Sequence, residues 1–229
     1  MTDQAAVHSA HRVSAPGAAS GGPARSSGDA ETRVRIIEAA IAVLRRYAFH
    51  EASLDLVAVT SNLSVAEVTN AFPTWDSLLV ATLDRWNGQR IRPIFPVAEH
   101  HGAVVFLRTI VQANIADPAL MRALSACVNI AATPSHPLAS HLQRAWRDFH
   151  AFVMHQLATD IEAGREPDTM QPARGAEQLI ALYEGLQLQS MVRPGMDLLD
   201  AFDRAVTRLR DGWANTYTPP VWNLDDDLQ

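Results

Sequence analysis

The chain has 229 residues, 48% of them hydrophobic, with 19 basic residues against 25 acidic ones and a net charge of −6. That balance excludes a disordered tail and a uniformly basic nucleic-acid coat, so any DNA contact must come from a local patch. Every basic residue is Arg, and the single cysteine, Cys127, excludes an internal disulfide or a cysteine zinc site and reads as a small buried residue. No apolar run approaches the roughly 20 residues needed to span a bilayer. The opening residues MTDQAAVHSAHRV lack the apolar block of a signal peptide. The expectation is a cytoplasmic protein without a membrane partner.

Residues 1–28 are rich in Ala, Ser, Gly and Pro without periodicity and read as a disordered arm. From Glu31 the pattern is helical. Val34, Ile37, Ile41, Leu44 and Ala48 give the first helix one apolar face. Ser53 caps a second helix with Leu54, Val57 and Ala58 inward, and Asn62-Leu63 makes a turn. Ser64 caps a third helix with Val65, Val68 and Phe72 inward, closed by Pro73. Thr74 caps a fourth helix to about Arg92. Helices follow over Gly102 to Ala116, from Asp117-Pro118 to Thr133-Pro134, and from Ser135 and Pro137 to about Ala163. The last two span Ala173 to Val192 and Asp197 to about Ala214. With no strand-like alternation, the fold class is all-α: an amino-terminal three-helix helix-turn-helix domain (29–80), then a larger helical ligand-binding and dimerisation domain (81–216). Residues 217–229 read as a flexible acidic tail.

The pair Ser53 to Phe72 has the geometry of a helix-turn-helix, in which the second helix keeps its outer face free for bases. With its context, the chain resembles the TetR family of bacterial transcriptional regulators. The matching segments are TRVRIIEAAIAVLRRYAF, ASLDLVAV, LSVAEV and FPTWDSLLVATL, between Thr32 and Leu83. The resemblance implies a homodimer that binds a palindromic double-stranded operator with the small domain and a small-molecule effector in the larger one, with dimerisation around YEGLQLQSMVRPGMDLL. It also implies backbone contacts from Arg33 and Arg35. The chain departs from the pattern at Asn62, usually Gly; at Thr69 and Ala71, usually Tyr and His; and at Trp75, usually Lys. Glu67 adds a repelling charge.

Phosphate contacts supply most nonspecific affinity, so the remaining grips are Ser53, Ser64, Thr69 and the start of the fourth helix at Thr74 and Trp75. Base reading needs no positive charge. Asn70 can pair with adenine, Glu67 can accept from cytosine, and Ala66 and Ala71, beside Val65, can meet a thymine methyl. The expected function is a ligand-responsive regulator, a repressor released by a mainly apolar effector. The alternative is a dimeric helical ligand- or protein-binding module that has lost DNA binding.

In the larger domain, Trp86, Phe106, Met121, Trp146 and Phe149 are candidate apolar walls of a pocket. Gln112, Asn129, His155, Glu184 and Gln187 are its candidate polar anchors. The pairs His136 with His141 and His150 with His155 are spaced wrongly for one helical face, so no metal or other cofactor is expected. No nucleophile motif or phosphate loop is present, and an enzyme is not expected. The apolar faces of the last two helices are best covered by a two-fold four-helix bundle.

Overall fold

The structure, a computed structural model, describes residues 23–218. Of the arm expected over residues 1–28, residues 1–22 lie outside the described residues and 23–28 are helical, the start of α1; of the acidic tail expected over 217–229, residues 219–229 lie outside them. Among the described residues there are nine α-helices and no strand: α1 Pro23–Arg46, α2 Leu54–Ser61, α3 Val65–Ala71, α4 Trp75–Ile91, α5 Phe95–Ala116, α6 Pro118–Ala131, α7 Ala139–Glu162, α8 Pro172–Val192 and α9 Leu198–Trp213. A 3-10 turn, Arg92–Ile94, joins α4 to α5.

The amino-terminal helix starts earlier than its apolar pattern, at Pro23 instead of Glu31. Proline is tolerated in a first turn, where its amide would have no partner, and extending an existing helix is far easier than nucleating one. α1 also buries two faces rather than one. Ile36, Ala40 and Val43 pack with Val57, Ala58, Val68, Phe72 and Leu78 as the core of a small head. Ile41 and Leu44 turn the other way, against Leu79, Leu83 and Trp86 of α4 and Leu120, Ala123 and Cys127 of α6. Val34, expected inward, is 41% exposed.

The turn chemistry of the head follows its sequence closely. The Ser53 hydroxyl accepts from Leu56 N, and Asn62 ends α2 in the left-handed region at φ 52°. Ser64 and Glu67 form a reciprocal capping box on α3, and Thr74 and Ser77 form another on α4. Val65, also expected inward, is 43% exposed, because the first residue of α3 lies on the outer side of the helix whose inner side is Val68.

The chain between α4 and α5 reads as a break because of Pro93 and Pro96, yet it is helical from Phe95. Both prolines sit in first turns. The true interruption is Gly102, at φ 89° and ψ 175°, a conformation open essentially to glycine alone. Asp160 of α7, 1% exposed, closes on this bend. Its Oδ2 accepts from Ala103 N at 2.7 Å, and its Oδ1 from Arg165 Nε at 2.9 Å and Gln156 Nε2 at 3.2 Å. A buried carboxylate thus caps the second half of α5 from across the helix interface. Beyond it, Phe106, Leu107, Ile110, Val153, Leu157, Leu179 and Phe202 form the core of the larger domain. The stretch Trp75–Ala116 does contain an 18-residue window of mean hydropathy 1.2, long and apolar enough by composition to cross a membrane. Here it is the bent central strut of the helical core, with 44% of that window buried.

A Cβ at position 102 would stand 2.7 Å from Asp160 Oδ2 in a backbone region side chains avoid. Gly102→Ala is expected to lower stability by about 2–4 kcal/mol, read from denaturant midpoints. An unchanged midpoint would show that the bend is not held as described.

Candidate nucleic-acid interface and buried polar cluster

The outer side of the head is formed by the start of α3. Val65, Ala66, Glu67 and Asn70 are exposed, and Thr69 and Ala71 are half-buried. Several groups expected to grip phosphate are already committed inside the head. The Ser53 hydroxyl caps α2 by accepting from Leu56 N, which leaves its own O–H to donate. The Ser64 hydroxyl donates to Glu67 Oε2 at 2.7 Å and accepts from Glu67 N at 3.2 Å. The Thr69 hydroxyl donates back to its own helix, at Val65 O (2.9 Å) and Ala66 O (3.1 Å), which turns attention to its methyl. The Arg33 guanidinium lies 4.0 Å from the centroid of the Phe72 ring and donates to Ala71 O, sealing the end of α3. Trp75 is half-buried against both the head core and the adjoining cluster, so its indole is a packing group.

Glu67 is committed as well. Its Oε2 also accepts from Ser64 N at 2.8 Å. The hydrogen bonds from Ser64, first the side chain and then the backbone, hold its carboxyl below the ordinary 4.5, with nearby Arg35 adding to them. One oxygen of the carboxylate expected to accept from cytosine is therefore occupied by the cap, and Oε1 is left. Polar reading capacity rests on Oε1 and on Asn70, beside the apolar surface of Val65, Ala66 and the Thr69 methyl. Residues 29–80 carry four arginines against seven carboxylates, net −3 with His50 neutral. Of the four, Arg45 is bound to Asp117 and Arg33 to the end of α3.

In the larger domain the apolar candidates sort by place. Trp86 is buried, and its Nε1 donates to Asp117 Oδ2 at 2.7 Å. Phe106 is core, stacked with Phe95 at 6.0 Å and tilted 59° against Phe152 at 5.2 Å between centroids. Gln112, Asn129 and His155 are exposed, so these three expected anchors face outward. Each sits beside the apolar stripe of its helix, where a shift of two residues reverses the face. The interior polar group of α5 is Asn114, 2% exposed.

Asn114 is the centre of a buried polar cluster between α4, α5 and α8. Its Nδ2 donates to Tyr183 Oη at 2.9 Å and to Gln187 Oε1. Arg90 enters from α4, donating to Asn87 Oδ1 at 2.6 Å and lying 3.7 Å from the Met121 sulfur. Burial lowers the Arg90 pKa, with Tyr183 opposing, and raises that of Tyr183, with Arg90 opposing. Glu184 lies on the same side of α8, its pKa raised by burial and partly offset by the Trp146 indole. Phe149 flanks Tyr183 at 6.4 Å. Three buried side-chain atoms among the described residues have no hydrogen-bond partner, and all lie here: Arg90 Nε, Asn114 Oδ1 and Glu184 Oε1. An unsatisfied buried polar group costs about 1–3 kcal/mol, so such a concentration calls for a binding partner. Arg90, Asn114 and Tyr183 were not singled out from sequence. The one available signal was Asn114 interrupting the apolar run Ile110, Val111 and Ile115.

The head and this cluster meet at Asp117. It caps α6 through Leu120 N at 3.4 Å, and its Oδ2 accepts from Arg45 Nη2 of α1 at 3.0 Å as well as from Trp86. Trp86 and Arg90 lie one helical turn apart on α4, so one rigid element touches both the joint and the buried cluster. Elsewhere, a cleft of about 890 Å³ runs along α8 and α9, past Leu186, Arg193, Met196, Ala201, Arg204 and Arg208. The apolar line of α9 is largely spent inside, with Phe202, Val206 and Trp213 buried. The exposed apolar remainder is on α8, at Leu188 (57%) and Val192 (71%). Among the described residues no group of three or more His, Cys, Asp or Glu is arranged to hold a metal ion.

Residues 104–212 match the family model described as BetI-type transcriptional repressor, C-terminal. No curated protein matches the sequence. Among solved structures, the chain is similar to a TetR transcription regulator from Haloarcula marismortui, with 16% identity, a TM-score of 0.69, and 80% of this chain and 98% of the other covered. It is also similar to Thermus thermophilus FadR, a TetR-family transcriptional repressor solved with lauroyl-CoA (17% identity, TM-score 0.57, 83% and 99% covered). A third is SmeT in complex with triclosan (19%, 0.63, 84% and 98%); SmeT is the repressor of a Stenotrophomonas maltophilia multidrug efflux pump.

Two outcomes follow for the glutamates. Glu67→Gln keeps the cap and removes the charge; head stability should stay nearly unchanged while duplex binding tightens several-fold, and Glu67→Ala, which loses the cap, should melt lower than Glu67→Gln. Paired melts and anisotropy titrations read both. For Glu184, a folded pKa above 4.5 means its contribution to stability is fully present below 4.5 and lost as pH rises through the folded value. Glu184→Gln should therefore be more stable than the parent at neutral pH and equal to it in acid. Equal midpoints at both pH values would contradict the burial described.

Proposed function

With its larger domain matching the BetI-type repressors and its described length in the TetR-family regulator fold, we propose that the chain is a ligand-responsive DNA-binding transcriptional regulator. It acts as a cytoplasmic homodimeric repressor, its two heads meeting successive major grooves of a palindromic operator, and a small effector releases it. The observation that carries the effector reading is the single buried cluster holding all three unpartnered polar atoms. Two matched structures hold a small molecule, lauroyl-CoA and triclosan. The exposed side of α8 and the cleft beside α9 are the surface assigned to the second subunit.

The mechanism runs along α4. An effector that engages Arg90 draws it from Asn87 and Met121 and shifts the end of α4. Trp86, one turn back, moves with it and displaces the Asp117 carboxylate on which Arg45 of the head is anchored. The heads change separation, and an operator with fixed half-site spacing no longer fits both. A preference of about 1–3 kcal/mol for the released form is enough to change affinity 5- to 150-fold.

On DNA, Asn70 reads adenine through two hydrogen bonds, and Val65, Ala66 and the Thr69 methyl meet thymine methyls. A second reading has one observation in its favour: the head carries net −3 and ties up Arg33 and Arg45 internally. On that reading the pocket is kept and DNA binding is lost. Titration of the dimer against its own upstream region at two salt concentrations separates them. Selective binding with a shallow salt slope, weakened by about 1–3 kcal/mol in Asn70→Ala at the operator only, supports the regulator. No binding to any genomic duplex, with the effector site intact, supports the second reading.

A further inference from the structure

The three unpartnered atoms define more than a place; they define a complement. Arg90 Nε is a donor and needs an acceptor. Asn114 Oδ1 and Glu184 Oε1 are acceptors and need donors. A carboxylate head would answer Arg90 but bring further acceptors to Asn114 and a like charge to Glu184. An ammonium head would answer the two acceptors but set a cation against Arg90. Both choices leave part of the cluster unpartnered in a site where Asn114 is 2% exposed and Gln187 and Tyr183 are 8% and 7% exposed. Phe149 lies against Tyr183, the Met121 sulfur against Arg90 and the Trp146 indole against Glu184, apolar and sulfur surface without further charge.

We propose that this site takes a neutral head bearing one acceptor oxygen beside N–H donors, a carboxamide or urea group, on an apolar body. The head oxygen accepts from Arg90 Nε–H, and its two N–H groups donate to Asn114 Oδ1 and Glu184 Oε1. The apolar body lies against Trp146 and Phe149. This inference rests on the cluster being the effector site, and it adds the chemistry of the ligand. The internal bonds of Asn114 to Tyr183 and Gln187 leave its carbonyl oxygen as the only open side of that amide, which gives the head its orientation.

The test is a calorimetric titration and a thermal-shift series on the full chain with three probes of equal chain length: octanamide, octanoate and octylamine. Octanamide is expected to raise the melting temperature most and to bind at least about ten-fold tighter than either ion. Glu184→Leu removes one acceptor and one uncompensated charge. In that variant the advantage of octanamide over octanoate should fall about ten-fold. Octanoate or octylamine binding tightest would overturn the neutral head while leaving the effector site standing. Binding of octanamide that Glu184→Leu leaves unchanged would overturn its placement. No binding or shift with any probe would overturn the effector site itself together with the proposal.

Discussion

Asp117 joins two helical units through one carboxylate. Its oxygens receive the guanidinium of Arg45 from the head, the indole N–H of Trp86 from the linking helix and the Leu120 amide of α6. Each bond to a charged acceptor is worth about 1.5–3 kcal/mol, and the helix start adds a favourable dipole. Ile41, Leu44, Leu83 and Leu120 pack beneath it; the Trp86 bond is part-buried, whereas the Arg45 side chain is 57% exposed and its pair is the weaker one. The orientation of the head against the larger domain rests on this joint together with the ion pair between Glu38 of α1 and Arg85 of α4, 2.5 Å apart.

The head shows how a scaffold and a reading surface can be kept by different means. Its caps are complete: Ser53, Asn62, Ser64 with Glu67, and Thr74 with Ser77 settle the ends of three short helices. Those same bonds take up the Ser64 hydroxyl and one oxygen of the Glu67 carboxylate. What stays open is the Asn70 amide, Glu67 Oε1, the O–H groups of Ser53 and Thr74, which only accept in their caps, and a small apolar surface. Discrimination between base pairs then rests on shape and methyl contacts more than on charge, and nonspecific attraction is weak because the head is acidic.

The larger domain holds strain of another kind. Gly102 breaks α5 in a glycine-only conformation, and Asp160 closes the break from α7. The bend aims the second half of α5 so that Asn114 points at Tyr183 and Gln187. The buried polar cluster, with its unpartnered atoms, therefore depends on a backbone bend twelve residues away, and α4 carries its state outward to Asp117.

Sequence alone determined the all-helical class, the caps of α2, α3, α4 and α6, the left-handed Asn62 and the helix-turn-helix, because these rest on contacts within four or five residues. Glu184, Gln187, Trp146, Phe149 and Met121 were also legible, as polar or apolar groups at core-like spacing. Tertiary structure decided what no local pattern holds. It placed Gln112, Asn129 and His155 outside and Asn114 inside, since a helix's second buried face depends on which neighbour it meets. It turned Arg33 onto Phe72 and Trp75 into packing. It brought Arg90, Asn114 and Glu184 from three helices to one spot, and Arg45, Trp86 and Asp117 to another. Those meetings span 24 residues or more of sequence, a distance over which only the closed fold specifies which side chains face each other.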